Sequence, residues 1–134
     1  MSYSVSVEFR FESAHSLPHL PIGHKCRNLH GHSYRVEVFC EGGLDDRGFV
    51  VDYAEIYAAI SPLIDRWDHA YLAGPDDPYS DGLEAAGSAV VHIGCPSSAE
   101  HLARLVYEEA ARSSIPVSKV VFYETCTTTV TYTP

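Results

Sequence analysis

Alternating polar and apolar residues predict two long strands near the N-terminus. The run Tyr3–Phe11 alternates over its whole length and continues to His15. A period of two is typical of a strand with one buried face. The run His30–Phe39 alternates in the same way and is rich in aromatic and β-branched residues, which predicts a second strand.

Helical spacing of apolar residues predicts two helices in the middle of the chain. Asp52 with Glu55 three positions later forms a capping-box signature, so the first helix is expected over residues 53–66. Its apolar positions are Ile56, Ala59, Ile60, Leu63, Ile64 and Trp67. A brief strand is expected just before it, at Phe49–Val51. The second helix is expected to start near Ser98 as N-cap, with its apolar side formed by Leu102, Leu105, Val106 and Ala110.

Two closing strands are predicted, at Ser118–Glu124 and at Thr127–Thr133. Between the helices, residues 73–97 contain clusters of Gly, Pro and Asp and are expected to be largely irregular, with a short strand within Ser88–Ile93. The order β-β-α-α-β-β predicts an α+β fold. We expect a four-stranded antiparallel sheet with two helices on one face, in one domain of residues 1–134.

The composition of the chain argues against some classes of binding partner. The 134 residues carry a net charge of −9, which argues against nucleic acid or an anionic membrane as partner. No apolar run approaches the ~18–20 residues of a membrane span, and the N-terminus does not have the features of a signal peptide, so we expect a cytoplasmic protein. The four cysteines form no CxxC motif and are expected to be free thiols: Cys26, Cys40, Cys95 and Cys126.

Three histidines form the main candidate for a metal site. His30 and His32 are two positions apart on the second predicted strand, which places both side chains on one face. If the first strand pairs with it in antiparallel fashion, His15 comes alongside them, although the sequence does not specify the register. Three imidazoles with one open position are typical of catalytic zinc. Iron or nickel would also accept them.

Cys26 lies just before these histidines, with His24, Lys25 and Arg27 around it. A nearby metal and basic residues favour the thiolate form of a cysteine. The same positive charges would attract a phosphate-bearing substrate. The alternative is that Lys25 and Arg27 are solvated loop residues.

Two further carboxylates are candidates for chemistry. Asp68 precedes His69, and a carboxylate that contacts an imidazole supports general acid–base catalysis, although adjacency does not guarantee contact. Glu124 ends an apolar strand, where its carboxylate would need hydrogen-bond donors. Two parallel N–H groups of a heterocycle would supply them. The alternative for Glu124 is a solvent-exposed strand end.

Seven segments in this order resemble the 6-pyruvoyltetrahydropterin synthase family over nearly the whole chain. They are Phe11–His15, Pro18–Pro21, Gly23–Cys26, Leu29–His32, Val51–Tyr53, Leu63–Leu72 and Glu124–Thr127. The spacing Cys-x-x-x-His-Gly-His is similar to the bacterial 6-carboxytetrahydropterin synthase branch, because the pyruvoyl-forming branch has a longer gap. This sequence departs from the family pattern in two places. The loop at 73–97 is longer than in the bacterial relatives, and residues Pro96–Glu100 stand where the family has Pro-Thr-x-Glu.

The resemblance implies a zinc enzyme that converts 7,8-dihydroneopterin triphosphate to 6-carboxy-5,6,7,8-tetrahydropterin, acetaldehyde and triphosphate, for queuosine or a related deazapurine. It implies zinc ligands at His15, His30 and His32, catalytic roles for Cys26, Asp68 and His69, and substrate binding by Glu124, Thr125, His24, Lys25 and Arg27. It also implies the tunnelling fold (T-fold), in which sheets of several subunits join into a barrel, commonly in a hexamer of two trimers.

Two other functions stay open at this point. One is a 6-pyruvoyltetrahydropterin synthase, against which the short spacing between Cys26 and His30 counts. The other is a non-catalytic zinc- or pterin-binding module. The joint presence of Cys26, Asp68, His69 and Glu124 argues against such a module.

Overall fold

A single mixed sheet of six strands organises the computed structural model, which describes residues 2–134. Its spatial order is β4-β3-β1-β2-β5-β6. The pairs β1–β2, β2–β5 and β5–β6 are antiparallel, whereas β3 is parallel to both β1 and β4. The strands are β1 (Tyr3–His15), β2 (His30–Gly42), β3 (Ala70–Ala73), β4 (Val90–His92), β5 (Val117–Thr125) and β6 (Thr128–Tyr132).

The predicted sheet of four antiparallel strands was wrong in two respects, because β3 and β4 add to the expected four and β3 pairs in parallel with both β1 and β4. All four residues of β3 are buried, so this strand has no alternation that would reveal it. The predicted strand at Phe49–Val51 was also wrong, since these residues lie in the loop before the first helix. Residues 73–97 are more regular than predicted, because they contain a short helix, α2 (Ser80–Ala85). They also contain β4, which confirms the short strand expected there.

The two long helices confirm the sequence prediction, as α1 (Tyr53–Trp67) and α3 (Ala99–Arg112). The Asp52 carboxylate accepts a hydrogen bond from the Ala54 N–H at 2.9 Å, and the Asp52 N–H donates to the Glu55 carboxylate at 3.1 Å. This capping box satisfies backbone groups that the first helical turn leaves unpaired. None of the helices within residues 2–134 has the length and apolar character of a bilayer span.

The hydrophobic core lies between one face of the sheet and the helices. Alternate side chains of β1 and β2 point into it, and the apolar sides of α1 and α3 complete the same cluster, so both helices cover one face as predicted. Phe11 stacks on Tyr34 with ring centroids 4.9 Å apart, and Trp67 of α1 lies 5.8 Å from Phe11. The opposite face is polar and includes the ion pair between Arg35 and Glu8.

The capping box yields a test of the fold. Asp52→Ala removes the acceptor for the Ala54 N–H, so we expect the free energy of unfolding to fall by about 1 kcal/mol in urea denaturation. Asp65→Ala, at an exposed position in the same helix, is the matched control and should change this energy by less than about 0.5 kcal/mol. Equal losses would show that the cap contributes nothing.

Candidate metal centre and active site

The register of β1 and β2 brings the three candidate histidines together. His15 lies opposite His30, and Ser13 lies opposite His32. All three imidazoles extend the core-facing side of the sheet, because they continue the two-residue alternation of the strands. The ring centroids are 4.5 Å apart for His15 and His30, 5.1 Å for His15 and His32, and 4.9 Å for His30 and His32. The antiparallel pairing expected from the sequence is therefore confirmed.

The nitrogen atoms of this cluster suit a metal ion. One ring nitrogen from each histidine lies within 4.8 Å of the other two. His15 Nδ1 lies 2.7 Å from the Ser97 carbonyl oxygen, and His30 Nδ1 lies 2.6 Å from that of Asn28. Because a carbonyl only accepts, both Nδ1 atoms carry the proton and both Nε2 atoms keep a free lone pair. Within residues 2–134, the Nε2 atoms of His15 and His32 are buried and have no hydrogen-bond partner, so both can coordinate a divalent cation.

Burial also favours the neutral form of His15 and His32. It lowers the pKa of His15 to about 4, with the other two histidines adding to this effect and the Ser97 carbonyl opposing it. Burial lowers the pKa of His32 as well, against the opposing influence of the Glu124 carboxylate. Because a metal binds the neutral imidazole, this electrostatic environment favours metal binding at neutral pH.

Gly31 allows β1 and β2 to approach each other closely beside His30 and His32. A Cβ atom at this position would lie 3.1 Å from the Ser13 carbonyl oxygen of β1. A side chain would therefore push the strands apart at the point where His15 faces His30. This contact gives a physical reason for the glycine in His-Gly-His.

Cys26 lies in a 3-10 helical turn, Lys25–Arg27, between β1 and β2. Its carbonyl accepts from the Leu17 N–H at 2.8 Å, which ties the turn to the end of β1 just beyond His15. Its own N–H donates to His24 Nδ1 at 3.1 Å. The cluster of possible metal ligands does not include Cys26 within residues 2–134. The half-buried thiol thus lies at the same end of the sheet as the imidazoles but outside the cluster.

The basic residues of this turn differ in their contacts. Arg27 donates from Nη1 to the carbonyls of Pro18 and Leu20, both at 2.6 Å, so its guanidinium group holds the loop together. Lys25 is exposed to solvent. Of these two cations, the structure therefore leaves Lys25 the more accessible to an anionic ligand.

The Asp68 and His69 side chains do meet, a contact that their adjacency alone did not guarantee. Asp68 Oδ2 lies 2.9 Å from His69 Nδ1, and Asp68 Oδ1 accepts from the Glu12 N–H at 2.8 Å. The Glu12 N–H and the His69 imidazole together lower the pKa of Asp68. The His69 N–H donates to the Glu12 carbonyl at 2.6 Å, which ties this pair to β1.

His69 has a left-handed backbone conformation, with a φ angle of 58°. This region is unfavourable for residues with a Cβ atom, by about 1–2 kcal/mol. Such conformations are concentrated at functional sites, where the surrounding structure holds them. The hydrogen bond to Glu12 is one such restraint.

Two neighbouring cavities connect these groups. A cavity of about 580 Å³ is lined by both His32 and His69, and another of about 420 Å³ is lined by Glu124 and Thr125. Glu124 Oε1 lies 3.8 Å from His32 Nε2, so Glu124 also reaches the histidine cluster. Glu12 lines both cavities. Glu12 was not among the predicted site residues. The alternation of β1 places its side chain on the face opposite His15, so the histidine pattern did not indicate it.

Comparison with known proteins identifies the family of this chain. A model of the family described as 6-pyruvoyl tetrahydropterin synthase matches residues 4–134. The chain belongs to the 6-pyruvoyl tetrahydropterin synthase family.

Two curated relatives from the family carry a more specific name. The 6-carboxy-5,6,7,8-tetrahydropterin synthase of Aquifex aeolicus is 32% identical over 160 residues, covering 98% of each chain. The protein of the same name from Synechocystis is 33% identical over 132 residues, covering 93% of this chain and 88% of its own. The resemblance inferred from the sequence motifs is confirmed.

A solved structure from the family has the same fold. The 6-pyruvoyl tetrahydropterin synthase of Caenorhabditis elegans superposes with a TM-score of 0.75 at 24% identity, covering 100% of this chain and 96% of that one. The T-fold predicted from the resemblance is confirmed, with six strands in the sheet rather than four.

The buried His15 makes the stability of the metal-free protein depend on pH. In the unfolded chain a histidine titrates near pH 6.5, whereas the folded pKa is about 4. Between these values the unfolded chain binds more protons, so the free energy of unfolding should rise with pH over this window. We expect the titration of His15 to raise the free energy of unfolding by about 3 kcal/mol as the pH rises through this window, measured by urea denaturation in the presence of a chelator.

Two variants isolate this contribution. His15→Asn should flatten the rise between pH 4 and 6.5, because the titrating group is gone. His92→Asn, at an exposed histidine, should leave the slope as in the parent protein. A His15→Asn curve as steep as that of the parent would contradict the assignment.

Proposed function

We propose that this protein is a zinc-dependent lyase that converts 7,8-dihydroneopterin triphosphate and water to 6-carboxy-5,6,7,8-tetrahydropterin, acetaldehyde and triphosphate. The observation that carries the proposal is the three-histidine cluster, in which the Nε2 atoms of His15 and His32 are buried without a hydrogen-bond partner within residues 2–134, in a chain whose family relatives bear the corresponding name. We further propose that the product serves queuosine or a related deazapurine pathway.

His15, His30 and His32 would hold the zinc ion. Three imidazoles leave one coordination position open for an oxygen ligand, as in other catalytic zinc sites. When bound, zinc supplies positive charge that stabilises negative charge developing on side-chain oxygens of the substrate. The three imidazoles stay fixed on the ends of two long strands, so the substrate side chain is oriented by a rigid part of the fold.

Cys26, Asp68 and His69 would move the protons. In its thiolate form Cys26 removes a proton from a carbon of the substrate side chain. The Asp68 carboxylate accepts from His69 Nδ1, which leaves Nε2 of His69 free to exchange a proton with the substrate. The cavity shared by His69 and His32 supports this role, because a substrate in it would contact both groups.

Glu124 would bind the pterin ring. Within residues 2–134 its carboxylate accepts no hydrogen bond, and its nearest charged partner is His32 at 3.8 Å. A partly buried carboxylate in this state favours a ligand with two parallel N–H groups, such as the amino-pyrimidine edge of a pterin. Thr125 follows it in the same cavity and offers a hydroxyl group for further contact.

Local positive charge would bind the triphosphate. Lys25 and His24 lie in the exposed loop beside Cys26, whereas Arg27 supports that loop through the carbonyls of Pro18 and Leu20. This arrangement lets a protein with a net charge of −9 bind an anion at one place.

Assembly forms part of the proposal. Residues 1–134 would act as one domain, in a cytoplasmic hexamer of two trimers. Within residues 2–134, the outer strands β4 and β6 each have one edge that pairs with no other strand, and such edges can pair with those of other subunits.

Product analysis tests the proposed reaction. Purified zinc-loaded protein is incubated with 7,8-dihydroneopterin triphosphate, and the products are measured by mass spectrometry. We expect 6-carboxy-5,6,7,8-tetrahydropterin together with acetaldehyde. The 6-pyruvoyl product would instead support the other branch of the family, and an absence of turnover with zinc bound would refute the substrate.

Replacement of Cys26 separates an enzyme from a binding module. Cys26→Ala should retain the zinc content of the parent protein, because the cluster does not include the thiol, and should lose at least about 100-fold in turnover. Asp65→Ala, at an exposed position in α1 that lines neither cavity, should keep both properties. Parental turnover in Cys26→Ala would contradict the role of the thiol.

A further inference from the structure

His15 differs from His30 in the origin of the group that orients its ring. His30 Nδ1 donates to the carbonyl of Asn28, which is two residues away along the chain. His15 Nδ1 donates to the carbonyl of Ser97, which is 82 residues away. The orientation of His15 therefore depends on a distant part of the fold.

Ser97 contacts the end of β1 through two groups. Its carbonyl accepts from His15 Nδ1 at 2.7 Å, and its hydroxyl donates to the Ser16 carbonyl at 3.4 Å. The residue is completely buried. A small displacement of its backbone would consequently change the position of the His15 ring.

Gly74 lets the backbone that carries Ser97 lie against the end of β3. A Cβ atom on Gly74 would lie 3.0 Å from the Cys95 carbonyl oxygen and 3.1 Å from Pro96 Cα. Both neighbours are backbone atoms, so no side-chain rotation could relieve the contact. Any other residue at position 74 would thus displace the segment that orients His15.

A buried network fastens the start of the same segment. The Tyr71 hydroxyl donates to the Asp77 carboxylate at 2.6 Å and lies 2.7 Å from the Ser16 hydroxyl. The other Asp77 oxygen accepts the N–H groups of Tyr79 and Ser80, at 2.8 and 3.0 Å. Residues 74–97, which we name the support segment, are thus held near both ends by contacts to His15 or Ser16.

We propose that Gly74 and Ser97 are positioning residues of the metal centre. The absence of a side chain at Gly74 allows the Ser97 carbonyl to hold the His15 ring with Nε2 directed at the other two histidines. This inference rests on the metal site of the proposed function. It assigns the support segment a role in metal affinity and coordination geometry, although no side chain of that segment is a ligand.

Gly74→Ala tests the inference against the matched control Gly94→Ala, where an added Cβ has open space. Zinc affinity is measured by competition with a chromophoric chelator. We expect Gly74→Ala to weaken zinc binding by about 10–100-fold, the usual effect of losing a partner of a metal ligand, and Gly94→Ala to change it by less than about twofold. Equal affinities for the two variants would overturn the proposal.

Two spectroscopic measurements distinguish a change in the geometry of the metal centre from a general loss of stability in Gly74→Ala. The visible spectrum of the cobalt-loaded Gly74→Ala protein should differ from that of the parent, because the geometry of the ligands changes. In the metal-free parent, the imidazole nitrogen-15 shifts should show the proton of His15 on Nδ1, and Gly74→Ala should shift it toward a mixture of tautomers. Parental spectra in the variant would overturn the proposal.

Tyr71→Phe provides a second variant if Gly74→Ala does not fold. It keeps the ring but removes the hydroxyl that connects Asp77 with Ser16, and we expect about tenfold weaker zinc binding. Unchanged zinc affinity would contradict a role of the support segment in zinc binding.

None of these measurements uses the pterin substrate, so a protein that fails to turn it over can still support the inference. If the parent binds no zinc, the zinc proposal fails and the tautomer measurement alone decides.

Discussion

The alignment of β1 with β2 is the constraint on which both the core and the site depend. Side chains alternate between the two faces of a strand, so a slip of one residue would turn every buried side chain of β1 outward. Burial of Phe11 and Val36 stabilises the observed register. The same register places His15 opposite His30. Hydrophobic packing in the centre of the sheet therefore also aligns the three histidines at its end, so their side chains need no separate interaction to bring them together.

Elements with a clear local signal could be predicted from the sequence. Alternation indicated β1 and β2 and, through them, the histidine cluster, whereas the capping box at Asp52 indicated the start of α1. The strand β3 has no such signal, because it is buried along its whole length. The apolar run Phe49–Val51 has the composition of a strand but pairs with none in the structure. Composition alone does not show whether a partner strand is available.

Contacts made by the backbone could not be predicted. The carbonyl of Ser97 orients His15, and the N–H and carbonyl of Glu12 hold Asp68 and His69. Any residue type offers the same carbonyl group, so no pattern of side chains indicates which one is used. For Arg27, by contrast, the residue type suggests a role that differs from the contacts it makes. Its residue type suggests phosphate binding, whereas its Nη1 group donates to two loop carbonyls. The family resemblance suggested which residues act, and the three-dimensional contacts describe how they are held.

The left-handed backbone of His69 has a consequence for how this family can diverge. At a φ angle of 58°, glycine and asparagine are favoured over histidine, so if His69 acts as proposed, selection for its imidazole acts against this conformational preference. A gene copy that no longer needs the chemistry would be released from that selection. Such copies would drift toward glycine or asparagine at this position before the hydrophobic core changes. Under the proposed function, the residue at position 69 would therefore distinguish lineages that have lost catalysis from those that retain it.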